Sequence, residues 1–235
     1  MELRKKLCLY WLAALVLGVP IAWGQSFGDQ VIGEAVSCRG PNKYDIGGSP
    51  GNYQIHGSIT APACQGYGKA TASSSATIGS PTASAKVIAT KGTLFGASSD
   101  AAAEATDLAV LTPPSGWSGS VPVTLKTVYD FGITGVGPST SANYGINWAV
   151  TSGGVTKVNH TVEANFNVKG EQKPSFNFVI DQVNNAYEFT LVVSGAASAV
   201  SSQSGGATAH FVTFPITLVL PQGWTCTWLS SGGAC

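Results

Sequence analysis

The chain has 235 residues, with 12 basic and 12 acidic side chains and a charged fraction of only 10%. So few Lys and Arg residues cannot neutralise several phosphates, which argues against nucleic-acid binding. There is also no polybasic segment of the kind that binds anionic lipid. Val, Thr, Ser, Gly and Ala dominate the chain, and this composition is typical of strands and turns.

The first 24 residues have the layout of a secretory signal peptide. The basic segment Arg4–Lys6 precedes a long apolar stretch, and small residues occupy the two positions that signal peptidase recognises, Ala22 and Gly24. We therefore predict cleavage after Gly24, with an uncleaved membrane anchor as the alternative. These residues include three basic and one acidic side chain, so the mature chain keeps nine basic and eleven acidic residues and a net charge of about −2. No later stretch is apolar and long enough to span a membrane.

The mature chain, residues 25–235, is predicted to form a single β-sandwich domain, since sandwiches of about 200 residues commonly form one domain. Its first part, 25–68, is rich in Gly, Pro, Asn and Asp and contains one strand-like run, Tyr53–Ile59. We expect this part to be a loop-rich N-terminal extension.

Alternation of small and larger residues predicts strands in the next part of the chain. Lys69–Thr90 indicates two strands that share a small-residue face, separated by the turn residues Gly79-Ser80-Pro81. Ala101–Leu111 starts with strong helix formers, but its second half alternates and ends at Pro-Pro-Ser-Gly. We therefore favour a strand over a helix there, and Val121–Tyr129 alternates in the same way.

The second half of the chain shows a hairpin pattern. Ala142–Val150 and Val155–Val168 flank Thr-Ser-Gly-Gly, which predicts an antiparallel pair. Three later runs, Phe176–Val183, Tyr187–Gly195 and His210–Leu220, complete a set of about nine or ten strands. Without intervening helices, these predict an all-β fold, an antiparallel β-sandwich or jelly roll.

Four cysteines remain after the predicted cleavage, Cys38, Cys64, Cys226 and Cys235. An even number in a secreted chain predicts two disulfides. Because short loops close more readily, we favour Cys38 with Cys64 and Cys226 with Cys235 among the three possible pairings. A zinc site is the alternative, but the sequence has no Cys-x-x-Cys pair and its three histidines are scattered.

The carboxylates are candidate catalytic groups, because glycosidases need two of them facing a cleft. Isolated acids that alternate with apolar residues along a strand usually lie on the solvated face. We therefore predict that the protein is not an enzyme and has no cofactor or metal site. The acids considered are Glu104, Asp107, Glu163, Asp181 and Glu188.

Aromatic side chains suggest carbohydrate binding as an alternative. Trp117 and Trp224 lie beside glycines at loop-like positions, so they are the candidate platforms for a sugar ring, whereas Trp148 fits the apolar face of its strand. A binding platform of this kind requires the two rings to be exposed and coplanar. Asn159-His160-Thr161 also matches an N-glycosylation acceptor.

The C-terminal segment 214–225, Phe-Pro-Ile-Thr-Leu-Val-Leu-Pro-Gln-Gly-Trp-Thr, is followed by Ser230-Ser231-Gly232. It resembles the closing strand of secreted bacterial proteins of the PEP-CTERM exosortase-substrate type, and the Ala/Ser alternation of 70–89 is similar too. The resemblance implies a non-catalytic envelope or extracellular-matrix β-sandwich and assigns no functional residues. The chain shows no Pro-Glu-Pro motif, following membrane helix or terminal Arg cluster, so we expect a released protein.

Three functional hypotheses follow. The first is a secreted structural or interaction protein of the bacterial cell exterior, whose partners are extracellular polysaccharide or matrix components. The second is a carbohydrate-binding module that uses Trp117 or Trp224. The third is a jelly-roll glycan hydrolase, which requires two carboxylates about 5–10 Å apart in a cleft.

Overall fold

The computed structural model describes residues 28–48, 54–182 and 187–235, so the predicted signal peptide lies outside the described residues. This part of the chain holds sixteen strands and no helix. The strands are β1 Gly28–Ser37, β2 Gly40–Gly47, β3 Gln54–Ala61, β4 Ala70–Thr77, β5 Thr82–Ala89, β6 Ala97–Thr112, β7 Val121–Lys126, β8 Tyr129–Thr134, β9 Thr140–Ser152, β10 Val155–Ala164, β11 Lys169–Gln172, β12 Ser175–Ile180, β13 Tyr187–Ser201, β14 Ala207–Thr213, β15 Thr217–Val219 and β16 Thr225–Trp228.

The strands form two layers that pack face to face. The first layer is a seven-stranded sheet in the order β10-β9-β13-β6-β1-β2, with β16 pairing β6. The second contains a six-stranded sheet, β11-β8-β14-β5-β4-β3, and a three-stranded sheet, β12-β7-β15. Every pair is antiparallel. The predicted all-β, antiparallel sandwich is therefore confirmed.

The three-stranded sheet continues the six-stranded one across a crease. β7 leads into β8, β11 into β12 and β14 into β15 after two or three residues, and the strands keep the same lateral order on both sides. Pro174 and Pro215 lie in two of these breaks and lack the N–H that a ladder needs. Hydrogen bonds still cross the crease, from Thr127 N to the Pro174 carbonyl and from Phe214 N to the Val128 carbonyl (3.3 and 2.9 Å).

One half of the core is built from small side chains. β4 and β5 face β1 and β6 across the sandwich, and their inward positions are mostly alanines. The Ser74 hydroxyl on β4 reaches the Ile32 carbonyl on β1 (3.3 Å), so a short side chain spans the gap between the layers here. The buried alanines are Ala72, Ala76, Ala83, Ala85, Ala89, Ala101, Ala103, Ala105 and Ala109.

The other half of the core is aromatic. Trp148 on β9 is fully buried and packs on Tyr129 of β8, with ring centroids 5.0 Å apart. Phe178 and Phe189 meet edge to face at 5.6 Å. Phe211 occupies the space above Gly195, where an added Cβ would lie 2.4 Å from its ring. The core therefore grows thicker from the alanine half to this half.

The prediction of a strand at 101–111 is confirmed, because this segment lies inside β6. Its alanines favour a helix as an isolated peptide, but β6 pairs with β1 on one side and β13 on the other. Tertiary pairing and burial of the alanine face override the local propensity. The predicted hairpin is also confirmed, with Gly153 and Gly154 at positive φ between β9 and β10.

The expectation of a loop-rich N-terminal extension over 25–68 is wrong for the described residues. This region contributes β1, β2 and β3, and β1 lies between β6 and β2. The sequence pattern does not indicate these strands clearly, because their outward positions are polar and β2 is a largely exposed edge strand. Tyr44 fills the space over Gly33 and Gly57, where a Cβ would approach its ring to 2.4 and 2.1 Å. These glycines are packing positions and do not mark turns.

Both predicted disulfides are present. Cys38–Cys64 joins the β1–β2 turn to the β3–β4 connection, with Cα atoms 6.2 Å apart. Cys226–Cys235 closes the C-terminal segment on β16, with Cα atoms 5.3 Å apart. Disulfides of this kind are typical of proteins outside the cytoplasm. Over the described ranges, no helix is long and apolar enough to cross a membrane.

We predict that enlarging the alanine face destabilises the protein. Ala85→Leu adds volume to a buried position, where overpacking typically costs about 1–3 kcal/mol. The neighbouring Lys86 points outward and is exposed, so Lys86→Leu is the matched control and should change stability by less than about 0.5 kcal/mol. Urea unfolding monitored by tryptophan fluorescence measures both, and equal stability of the two variants would contradict the packing described here.

Candidate functional site

Asp107, one of the acids considered for catalysis, is completely buried on the inward face of β6. Its carboxylate accepts hydrogen bonds from Gly79 N (2.6 Å), Leu108 N (2.8 Å), Ser230 N (3.3 Å) and Ser230 Oγ (2.5 Å). These contacts tie the β4–β5 turn and the C-terminal segment to β6. Asp107 therefore has a structural role, since all four donors belong to the protein itself.

The remaining acids do not converge on a cleft. Glu163 and Glu188 are exposed on the outer face of the seven-stranded sheet, and Asp181 pairs with Lys157 (3.0 Å). Glu104 lies on the same outer face, but three strand spacings separate β6 from β10 and Glu163, about 14 Å. Within the described ranges, no group of three or more His, Cys, Asp or Glu residues is placed to hold a metal ion.

The two tryptophans proposed as a sugar platform do not form one. Trp117 is 42% exposed, but Trp224 is only 8% exposed. Their rings meet edge to face, with centroids 5.5 Å apart and planes at 80°. Trp224 also packs edge to face on Tyr187 at 4.9 Å. The expectation of two exposed coplanar rings is therefore wrong, because Trp224 supports Trp117 from below and only Trp117 presents a ring to solvent.

The N-glycosylation sequence at 159–161 lies on the edge strand β10. Asn159 Oδ1 and Thr161 Oγ1 both accept hydrogen bonds from Asn147 Nδ2 on the neighbouring strand, at 2.8 and 2.9 Å. The middle residue, His160, points to the opposite side and packs between Trp148 and Phe176 (5.9 and 4.9 Å). The segment is thus part of the sheet and contributes His160 to the edge of the aromatic core.

Eight of the twelve outward side chains of β3, β4 and β5 carry hydroxyl groups, and we call these eight the hydroxyl face; the other four are Gln54, His56, Lys86 and Ile88. Register places Ser58 beside Ser73, Thr60 beside Thr71 and Ser75 beside Ser84. Such side chains repeat about every 4.8 Å between strands and about 7 Å along them. The members of the hydroxyl face are Ser58, Thr60, Thr71, Ser73, Ser75, Thr77, Thr82 and Ser84.

A second feature lies where the Cys38–Cys64 disulfide holds the ends of the strands. The β3–β4 and β5–β6 connections pack together and leave an open cleft of about 490 Å³, which we call the loop-end cleft. Gln65, Tyr67, Lys91 and Thr93 supply its side chains, together with Cys64. The sequence alone does not indicate this cleft, because its two halves are more than twenty residues apart. The sequence features that could have indicated the cleft are Cys64 and the glycines on either side of Tyr67.

Comparison with known proteins adds little. No protein-family model matches the chain, and no curated protein matches it in sequence. Among solved structures, the chain is similar to the enzymatically active domain of tailspike protein 4 of bacteriophage CBA120. That alignment has 11% identity and a TM-score of 0.17 and covers 72% of this chain but only 19% of that one. A likeness this weak carries no argument about fold or function.

We predict that Asp107→Asn destabilises the protein strongly. The change removes the charge from a buried acceptor of four hydrogen bonds, and bonds to a charged group contribute about 1.5–3 kcal/mol each. A loss of about 3 kcal/mol is expected in urea unfolding. Glu163→Gln makes the same chemical change at an exposed site and serves as the control. Equal stability of both variants would show that Asp107 does not hold the C-terminal segment.

A further prediction concerns Glu104, whose half-buried position raises the pKa of its carboxyl above the ordinary value, although a hydrogen bond from Thr106 opposes the shift. A raised pKa means that the folded protein holds the proton at pH values where the unfolded chain has lost it. Stability therefore falls as the pH rises through that window.

Glu104→Gln removes this fall in stability with rising pH. The free energy of unfolding of the variant, relative to wild type, should therefore be higher at pH 7 than at pH 4. Denaturant unfolding at the two pH values measures the difference, with Glu163→Gln as control. A variant whose relative stability does not change with pH would contradict the burial assigned to Glu104.

Proposed function

We propose that the protein is a secreted, non-catalytic structural or interaction protein of the bacterial cell exterior. In this proposal it contacts extracellular polysaccharide or other matrix material through its outer sheet surfaces. The observation that carries the proposal is the hydroxyl face, the cross-strand set of Ser and Thr donors and acceptors on β3, β4 and β5.

The hydroxyl face suits a polymer better than a small molecule. Small ligands bind in concave pockets that bury most of their surface, whereas this face is a sheet surface on which Ser and Thr side chains predominate, with Lys86 and Ile88 beside them. A repeating hydroxyl polymer can form many weak hydrogen bonds along such a lattice. The total affinity then comes from the number of contacts made at once.

Secretion is supported by the two disulfides, which persist in oxidising compartments. The basic and apolar N-terminal segment that resembles a signal peptide supports it as well. The resemblance of 214–225 to the closing strand of exosortase-substrate proteins supports a place at the cell exterior. In the structure this segment includes β15 and the turn that leads into β16.

A carbohydrate-binding module centred on Trp117 is the second candidate function. One observation favours it, since Trp117 is 42% exposed and Trp224 supports it edge to face. A single aromatic ring held in this way can stack on one sugar ring. This function differs from the first in placing the contact at the β6–β7 loop, away from the hydroxyl face.

A pull-down with insoluble neutral polysaccharides tests both candidates on residues 25–235. In one variant, Thr71, Ser73 and Ser75 are all replaced by Ala, which removes three hydroxyls from the hydroxyl face. The matched control removes Ser98, Ser141 and Thr190 hydroxyls from the other layer. We expect the first variant to bind at least about tenfold more weakly, because each lost hydrogen bond costs about 0.5–1.5 kcal/mol.

Trp117→Ala separates the two functions. Binding that survives Trp117→Ala but is lost in the hydroxyl-face variant supports the interaction surface on β3–β5. The reverse result supports the aromatic module. Wild-type protein that stays in solution with every polysaccharide of the panel would overturn the proposed polysaccharide contact altogether.

A further inference from the structure

The loop-end cleft brings a basic, an aromatic and two hydrogen-bonding side chains together: Lys91, Tyr67, Gln65 and Thr93. We propose that it binds a uronic-acid residue of an extracellular polysaccharide, with the sugar carboxylate at Lys91 and the ring against Tyr67. This inference deepens the proposed function and rests on it, since it names an acidic class of polymer and a second place of contact.

The cleft is rigid because its two loops are joined through their backbones. Gly66 O accepts hydrogen bonds from Leu94 N and Phe95 N, both at 2.9 Å, and Gly92 N donates to Phe95 O at 2.8 Å. An added Cβ at Gly92 would lie 2.1 Å from Gly66 O, so only glycine allows this approach. A site held in this way loses little conformational freedom on binding.

One residue of the cleft adopts an unusual backbone conformation. Gln65 has φ of 46°, the one positive value at a non-glycine residue among the described residues. Such conformations cost free energy and occur often at binding sites. Here the conformation follows directly after the disulfide-bonded Cys64, and it places the Gln65 side chain in the lining of the cleft.

The charge on the connections at this end of the sandwich is entirely positive. Arg39, Lys69 and Lys91 lie in or beside the connections at this end, and all three are exposed. None of them appears in the three ion pairs formed by the described residues. None of the connections at this end contains Asp or Glu. These connections are 38–39, 62–69, 90–96, 135–139, 165–168 and 202–206. An acidic ligand is therefore attracted, and more strongly at low salt.

The lining matches a charged sugar in three respects. Tyr67 stacks with Phe95 at 4.6 Å, and the pair offers an apolar surface to the C–H face of a ring. The Gln65 amide and the Thr93 hydroxyl can exchange hydrogen bonds with sugar hydroxyls. The Lys91 ammonium can pair with a carboxylate.

An anionic membrane is the competing occupant, because Leu94 and Phe95 are 58% and 45% exposed beside the cations. The exposed polar side chains in the lining, Gln65 and Thr93, favour the sugar. Gln65 and Thr93 would lose their hydrogen bonds with water if the cleft were pressed into lipid.

Calorimetric titration with a galacturonic acid tetrasaccharide tests the inference, with its methyl ester as the uncharged counterpart. We expect the acid to bind at low salt and the ester to bind at least about fivefold more weakly. Lys91→Gln should weaken binding of the acid by about fivefold, since an exposed ion pair contributes up to about 1 kcal/mol. Lys126→Gln, at an exposed lysine on β7 outside this end, should leave it unchanged.

Tyr67→Ala should abolish binding of the acid, and its thermal unfolding shows whether the cleft remains folded. If Tyr67→Ala unfolds, Lys91→Gln alone decides the result. Equal binding of acid and ester, an unchanged Lys91→Gln variant, or no binding of the acid would overturn the inference. So would binding to phosphatidylglycerol vesicles that the tetrasaccharide does not compete away. If the neutral polysaccharides are bound but the acid is not, this inference fails while the proposed function stands.

Discussion

The close packing of two small-residue sheet faces is the constraint on which the rest of the structure depends. β4 and β5 present mostly alanines to β1 and β6, with Val31 and Val87 as larger inward residues there, and the small side chains let the layers meet closely. Because side chains alternate along a strand, this fixes the register of four strands. A shift by one residue would bring Ser, Thr and Lys side chains into the core, so the pattern specifies the pairing as well as the packing.

The same alternation of side chains forms the outer surface that we propose contacts polysaccharide. The inward positions of β4 are Ala or Ser, and its outward positions are all Ser or Thr. The register with β3 and β5 places these outward hydroxyls beside those of the neighbouring strands. The strand ends have a different role, because the Cys38–Cys64 disulfide and the glycine contacts hold two loops into a cleft. In the proposed function the sandwich supports these contact surfaces, and buried polar groups such as Asp107 stabilise the sandwich.

Much of the fold could be predicted from sequence because local pattern and tertiary environment agree. β6, the β9–β10 hairpin and both disulfides were expected from alternation, turn residues and cysteine spacing. β1 was not, because Gly33 lies in a segment rich in Gly, Asn and Asp, and only the tertiary contact with Tyr44 explains it. Trp224 was misplaced for a similar reason, because a tryptophan beside a glycine looks exposed until Tyr187 and Trp117 are seen to cover it. The loop-end cleft depends on contacts between distant loops, which no local pattern reports.

We propose that the protein binds polysaccharide by surface contact and performs no chemistry on it. The most direct test measures binding and cleavage in one sample, by incubating residues 25–235 with a bound polysaccharide and assaying the supernatant for new reducing ends. Protein retained on the polymer with no release of reducing ends over many hours is the result predicted here. Release of reducing ends that depends on the protein would contradict this proposal. It would require a catalytic pair of carboxylates in the protein.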